Sequence, residues 1–201
     1  MLLCVPDAEI PAAAALIRPD LLVGHCSGAT GLEALAPHEA FSLHPLMTVP
    51  AEGSELTEFA GAGAAIAGSS ARALTLARAL AERLGMEPVE IAPEDRAAYH
   101  AAASIASNFL VTLEAAAERL AAGTGVERRS LVPLVAATVE NWGRLGGARA
   151  LTGPVARGDR ATVEAQRRAV AQRAPDLLEL FDAMVRATEA LAAQNRELAV
   201  R

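Results

Sequence analysis

Residues 64–92 read AAIAGSSARALTLARALAERLGMEPVEIA, and their pattern decides the fold. Residues 64–67 form a short apolar run, residues 70–84 carry a helical pattern that Gly85 ends, and residues 88–92 form a second short run. Strand, helix and strand in succession imply a crossover connection and parallel pairing. Towards the N-terminus the alternation continues. Residues 1–5 are an apolar run ending at Pro6-Asp7, and residues 8–17 are helical in pattern. Residues 21–25 form a run closed by Cys26-Ser27-Gly28, and residues 40–43 a run stopped by His44-Pro45.

Beyond residue 92 the strand signal ends. Pro93-Glu94-Asp95 places proline and acids where a first helical turn favours them. The helix they open is expected to run to about Ala122, where Gly123 and Gly125 stop it. A second helix fits 130–145, with Ser130 as N-cap and Gly146-Gly147 as terminator. A third starts at Asp159 and ends before Pro175; a fourth covers about 175–198. The predicted fold class is therefore α/β then all-α. A largely parallel sheet occupies residues 1–92 and an all-helical domain residues 93–201.

Composition narrows the function. Of 201 residues 52% are hydrophobic, much of that alanine, and only 3% are aromatic, which suits close helix packing. A net charge of −6 argues against a nucleic-acid surface, which needs a clustered basic stripe. No run approaches the roughly 20 apolar residues that span a bilayer, and the N-terminus lacks the marks of a secretory signal. The expected compartment is the cytoplasm, with Cys4 and Cys26 reduced. Lysine is absent: all 18 cationic side chains are arginine. Schiff-base chemistry and lysine acid–base catalysis are thereby excluded, while arginine clamps anions well and shuttles protons badly.

Ligands of open parallel sheets bind beyond the carboxyl ends of the strands. Three clusters end the apolar runs: Val5-Pro6-Asp7, His25-Cys26-Ser27-Gly28 and Leu43-His44-Pro45. Gly24, Gly28 and Gly31 would let a ligand approach the backbone. Any one cluster is first of all a turn; three, with two histidines on one rim, point to a site. On the long helix His100, Ser104 and Asn108 recur every four residues and share a face, flanked by Tyr99 and Ser107. The other faces are alanine, leucine and valine, which suits burial. A buried polar row must find partners or cost about 1–3 kcal/mol per unpaired group. Two readings stay open: a satisfied core network, or a cleft-lining row in which His100 gives or takes a proton.

Residues 150–159 connect the second and third helices and hold Thr152, Arg157 and Asp159. Asp159 suits an N-cap, and Arg157, without an evident structural duty, suits a carboxylate or phosphate partner. His25, His38, His44 and His100 show no metal-ligand spacing, so no metal is expected. Ser27 lacks the G-x-S-x-G elbow of a hydrolase, which makes a Ser27 nucleophile the weakest of the enzymatic readings.

Taken together, Val5-Pro6-Asp7, His25-Cys26-Ser27-Gly28, Ser42-Leu43-His44-Pro45-Leu46, Tyr99-His100-Ala101-Ala102, Ser107-Asn108 and residues 150–159 resemble an uncharacterised family of Rossmann-like, NADP-binding oxidoreductases. That family is related to ketopantoate reductase, pyrroline-carboxylate reductase, prephenate dehydrogenase and 6-phosphogluconate dehydrogenase. The resemblance covers about residues 2–191. It implies a partial Rossmann-like domain, a 6-phosphogluconate-dehydrogenase-like helical C-terminal domain, and a homodimer formed through the helices. It also implies NADP or NAD as cofactor and a small anionic substrate. His100, Ser104 and Asn108 would be the catalytic row, His44, Thr152 and Arg157 would bind substrate, and Pro6, Asp7, His25, Cys26, Ser27 and Gly28 would border the cofactor.

The family's glycine-rich turn is not in this sequence. Gly61-Ala62-Gly63 is a decoy, because it precedes its strand and has isoleucine at the third glycine position. Without that turn the pyrophosphate has no main anchor. The expectation is an N-terminally shortened, NAD(P)-dependent oxidoreductase. The alternative is a non-enzymatic dimerising or small-molecule-binding module without cofactor.

Overall fold

The computed structural model describes residues 1–49 and 58–199. The chain divides into two compact units, Met1–Leu110 and Val111–Arg201. The first is built on a five-stranded sheet of β1 (Leu2–Leu3), β2 (Leu22–His25), β3 (Glu39–Pro45), β4 (Gly63–Gly68) and β5 (Glu87–Glu90), ordered as in the sequence. α1 (Ile10–Ala15) connects β1 to β2, and α2 (Ala71–Arg83) connects β4 to β5. Both of those pairs are parallel, as is β2–β3.

β3 and β4 are antiparallel, with Leu43 opposite Ile66. Their connection forms no helix among its described residues, and antiparallel neighbours need no helical crossover. β1, β2 and β3 therefore deliver their carboxyl ends, and the three clusters that follow them, to one rim of the sheet.

Alternation along β3 feeds two cores, as side chains on a strand point to opposite faces. Phe41 and Leu43 pack with Ile66, Met86 and the α2 alanines Ala73, Ala77 and Ala81. Ala40, on the other face, joins Ile10, Ala14, Val23 and Leu35. Alanine every four residues lets α2 lie close on the sheet. So does Gly68, whose added Cβ would fall 2.3 Å from the Leu74 backbone nitrogen. Ser70 caps α2 by accepting from the Ala73 N–H and donates its hydroxyl proton to Glu39.

After Pro93 three helical segments follow without a break: α3 (Arg96–Ser104), a π-helical turn over Ile105–Phe109, and α4 (Leu110–Ala121). The apolar composition of this stretch suggests burial, yet Ile105, Phe109 and Val111 are all more than half exposed. Within a single chain those apolar faces have too few neighbours to cover them.

The second unit continues with α5 (Arg128–Leu145), α6 (Gly147–Ala150), α7 (Pro154–Arg157), α8 (Arg160–Arg173) and α9 (Leu178–Ala199). α5 starts before the Ser130 cap expected from sequence. Glu127, in extended conformation, is the N-cap, and the Ser130 N–H already bonds the Glu127 carbonyl. Its stop is as read: Gly146 has φ +76°, a left-handed conformation that favours glycine. Asp159 caps α8, accepting from the Thr162 N–H at 3.1 Å and the Thr162 hydroxyl at 2.7 Å. The 150–159 connection is tighter than a loop, since α7 forms a turn of helix within it. The described residues of this unit bury little: Val132, Leu134, Val139, Trp142 and Met184 all stand exposed.

Candidate functional site

β1 and β2 end side by side, so the loops that follow them bond to each other. The Ser27 hydroxyl donates to Asp7 Oδ2 at 2.5 Å, and the Thr30 hydroxyl reaches the same oxygen at 3.3 Å. Ser27 Oγ also accepts the backbone N–H groups of Ala29 and Thr30. Its hydrogen-bonding capacity is thus used on a carboxylate and a turn. A Ser27 nucleophile would need a histidine base at that oxygen, and Asp7 stands there instead.

His25 is fully buried and holds the same loop. Its Nδ1 accepts from the Ser27 N–H at 3.2 Å, which leaves the proton on Nε2, facing the Gly31 carbonyl at 3.3 Å. Burial, ahead of any charge effect, holds its pKa below the ordinary imidazole value. Both ring nitrogens serve the backbone, so what His25 offers a ligand is the shape of the turn. The three glycines of this region differ in purpose. An added Cβ at Gly24 would strike the Phe41 ring and one at Gly31 the Glu33 carboxylate. These two accommodate neighbours within the chain, whereas Gly28 faces the histidines.

A Cβ at Gly28 would lie 2.8 Å from His100 Cδ2 and 2.9 Å from His44 Cε1 and Nε2. Two imidazoles, one from the end of β3 and one from α3, therefore converge on a single backbone position. Their ring centroids are 6.2 Å apart in an edge-on arrangement. Tyr99, the chain's only tyrosine, completes the group, with its hydroxyl and His44 Nδ1 sharing a 2.7 Å hydrogen bond.

Behind this cluster lies Arg96, 7% exposed. Its guanidinium donates to Ser42 Oγ at 2.8 Å and, at the longer distances of 3.4 and 3.5 Å, to the carbonyls of Ser27 and Gly28. Arginine spreads its donors in a planar fork, so one side chain can tie β3 to the β2 loop. Burial first, then His100 and the Arg96 charge, lower the pKa of His44. Burial raises that of Tyr99 against the opposing pull of Arg96. At neutral pH the group is a neutral imidazole bonded to a protonated phenol beside a fixed cation. Such a set can bind an anion, hold a carbonyl oxygen and move a proton.

The other residues singled out from sequence fall as follows. Pro6 is exposed next to Asp7, and Cys26 is half-buried between His25 and Ser27. Ser104 closes α3 and is half-buried; Asn108 is exposed and lies in the π-helical turn. The wider turn there rotates later residues relative to an α-helix, so four-residue spacing alone does not fix where Asn108 faces. Thr152 and Arg157 are exposed residues of the second unit. Arg157 also helps lower the Asp159 pKa, after the two Thr162 hydrogen bonds. Among the described residues no three histidine, cysteine or acidic side chains gather as a metal site. No described helix is long and apolar enough to cross a membrane.

Comparison with known proteins bears on this arrangement. The profile of a domain of unknown function, DUF2520, matches residues 63–188, well over half of the chain. The chain belongs to the DUF2520 family. The match takes in Arg96, Tyr99 and His100 but starts after Asp7, Ser27 and His44. Among solved structures, the DUF2520 chain is similar to protein TM1727 from Thermotoga maritima. That pair has a TM-score of 0.84 at 28% identity, over 96% of this chain and 78% of the other. It is also similar to a proposed NADP oxidoreductase from Bacteroides fragilis, with a TM-score of 0.82 at 20% identity over 94% and 74%. A third is 1-pyrroline-5-carboxylate reductase from Streptococcus pyogenes, with a TM-score of 0.58 at 11% identity over 94% and 76%. These likenesses establish the fold, a Rossmann-like sheet followed by helices. No curated protein matches the sequence.

Sequence reading of this DUF2520 member missed Arg96 as a site residue. Its signal was faint: an arginine in the first turn of a helix whose neighbours are mostly alanine. Tyr99 was noted as a flank of the polar row, but its bond to His44 joins residues 55 apart, and spacing cannot show that.

Proposed function

We propose that this DUF2520 chain takes part in NADP(H)-linked oxidoreduction of a small anionic substrate. The observation that carries the reading is the convergence of His44 and His100 on Gly28 at the carboxyl rim of the sheet, with Arg96 behind them. The names of two structural neighbours, an NADP oxidoreductase and a pyrroline-carboxylate reductase, support it.

The residues fit such a cofactor in part. Pro6, Asp7, Cys26, Ser27 and Gly28 form a rim suited to a nicotinamide end. Among the described residues the turn leading into α1 offers no diphosphate cradle, since it carries Asp7 and Glu9 where a phosphate needs bare N–H groups. NADP(H), when bound, supplies or accepts the hydride. The chain's own residues do the rest. His100 gives or takes the substrate proton. His44, set by Tyr99, holds the substrate oxygen, and Ser104 and Asn108 orient it. Arg96 keeps the β2 loop in place and supplies positive potential. Thr152 and Arg157 belong to the second unit, where the exposed Arg157 is suited to an anionic group. The exposed apolar residues of the helices fit burial against a second copy, giving a homodimer, and we place the protein in the cytoplasm.

The alternative reading is a dimerising or small-molecule-binding module without cofactor. Turnover separates the two. With NADPH and a panel of small keto and imino acids, the first reading expects NADPH oxidation that His100→Ala lowers about 100-fold or more, with denaturant midpoint unchanged. Turnover insensitive to His100→Ala, or lost in step with stability, would overturn the assignment of His100.

A further inference from the structure

Cys4 and Cys26 are free thiols whose Sγ atoms stand 4.0 Å apart. The register explains this proximity. Leu2 lies opposite Gly24 and Leu3 opposite His25 on parallel strands, so the next pair is Cys4 and Cys26. Neighbouring strands run about 4.8 Å apart, which falls inside the Cα separation that a disulfide accepts. A rotation about the side-chain bonds therefore suffices to join the sulfurs. The chain beyond them is already tied by the Ser27–Asp7 hydrogen bond, which holds the two loops at this separation.

From this geometry we infer that Cys4 and Cys26 form a thiol–disulfide exchange site that a low-molecular-weight disulfide oxidises to an intrachain bridge. The two thiols have distinct parts. Cys4 is exposed, whereas Cys26 is half-buried beside the fully buried His25. The Cys4 thiolate attacks one sulfur of the small disulfide and expels the other as thiolate, leaving a mixed disulfide on Cys4. Cys26 then gives up its proton to solvent as its sulfur attacks Cys4 Sγ and expels the second small thiolate, which is protonated in turn. Two protein thiols lose two electrons and two protons, and the small disulfide is reduced to two thiols.

Burial, with added contributions from the Cys4 charge and hydrogen bond, pushes the Cys26 thiol up to about 12. Cys26 therefore stays protonated at rest and leaves entry to Cys4. The bridge would fasten the β1 loop carrying Asp7 to the β2 loop carrying Ser27, with Cys26 itself part of the proposed cofactor rim. The inference rests on the thiol geometry and is independent of the reductase reading.

The test is intact-mass analysis of the full chain after incubation with oxidised glutathione, quenched in acid. The expected product is monomeric, lighter by two hydrogens, carries no glutathionyl group, and yields a peptide linking Cys4 to Cys26. Cys26→Ser should stop at one stable glutathionyl group on Cys4. A wild-type chain that keeps one or two glutathionyl groups, or that links only between chains, overturns the inference. So does bridge-free wild-type protein under conditions that fully label Cys4 in Cys26→Ser.

Discussion

His44 Nδ1 and the Tyr99 hydroxyl meet at 2.7 Å with their rings 87° apart, joining the end of a strand to the second turn of a helix. The bond leaves His44 Nε2 on the Gly28 side of the ring, where His100 also arrives. One phenol thus fixes the direction of an imidazole that spacing along the chain does not place.

Removing that phenol should cost orientation more than chemistry. Tyr99→Phe loses one hydrogen bond worth about 1 kcal/mol, equivalent to roughly a fivefold rise in KM, with little change in kcat. Steady-state kinetics on the best substrate checks this. A collapse of kcat at constant KM would instead make Tyr99 itself the proton donor.

Arg96 should act through the histidines it faces. In Arg96→Met the Ser42 hydroxyl and the Ser27 and Gly28 carbonyls lose their shared donor, a loss of roughly 1–3 kcal/mol in denaturant unfolding. Because Arg96 is among the causes lowering the pKa of both His25 and His44, those values should rise in the variant. NMR titration of the two imidazoles reads the shift, and unchanged titration curves would mean that the arginine charge does not reach them.

The same two histidines set an acid limit on the fold. Both have folded pKa values below the ordinary value near 6.5, chiefly through burial, so the unfolded chain binds more protons as pH falls. Their contribution is fully present above the unfolded value and is lost as pH drops through it towards the folded values. The urea midpoint should therefore decline between pH 7 and pH 5, and less steeply in His44→Asn. An equal decline in wild type and variant would remove His44 from the linkage.

The helical unit's exposed apolar residues predict self-association. On α5, Val132, Val139 and Trp142 share a face, and α5 also lines a shallow groove of about 320 Å³ with Leu131, Val135 and Ala136. Trp142 is the only tryptophan in the chain, so its fluorescence reports directly on this face. Sedimentation should show a dimer whose emission shifts to the red on dilution, and Trp142→Glu should yield monomer. Wild-type monomer with solvent-exposed emission at all concentrations would contradict the dimer.

The sheet was legible because buried strands and amphipathic helices write their periods into short stretches, as the run from Ile66 through Ala81 to Val89 does. Direction was harder to read. The reversal between β3 and β4 could not be read, because apolar runs carry no sign of their polarity. The candidate rim was readable where it follows strand ends, at Asp7, Ser27, Gly28 and His44. Its division of labour was not. His25 and His44 look alike in sequence, yet one spends both nitrogens on a turn and the other faces its partner across Gly28. Arg96 lay hidden because its bonds run to residues about 70 and 54 positions away. The π-helical turn at Ile105–Phe109 has no period of its own to announce it.

The most direct test of the proposed site uses reduced nicotinamide mononucleotide, which keeps the reacting ring and lacks the adenylate half. Because the described residues suit the nicotinamide end and offer no diphosphate cradle, it and NADPH should bind with similar affinity. Each should shift the NMR signals of His44, His100 and Tyr99 together. Signals at these three residues that stay fixed with both ligands, while binding is detected elsewhere or not at all, would contradict the account.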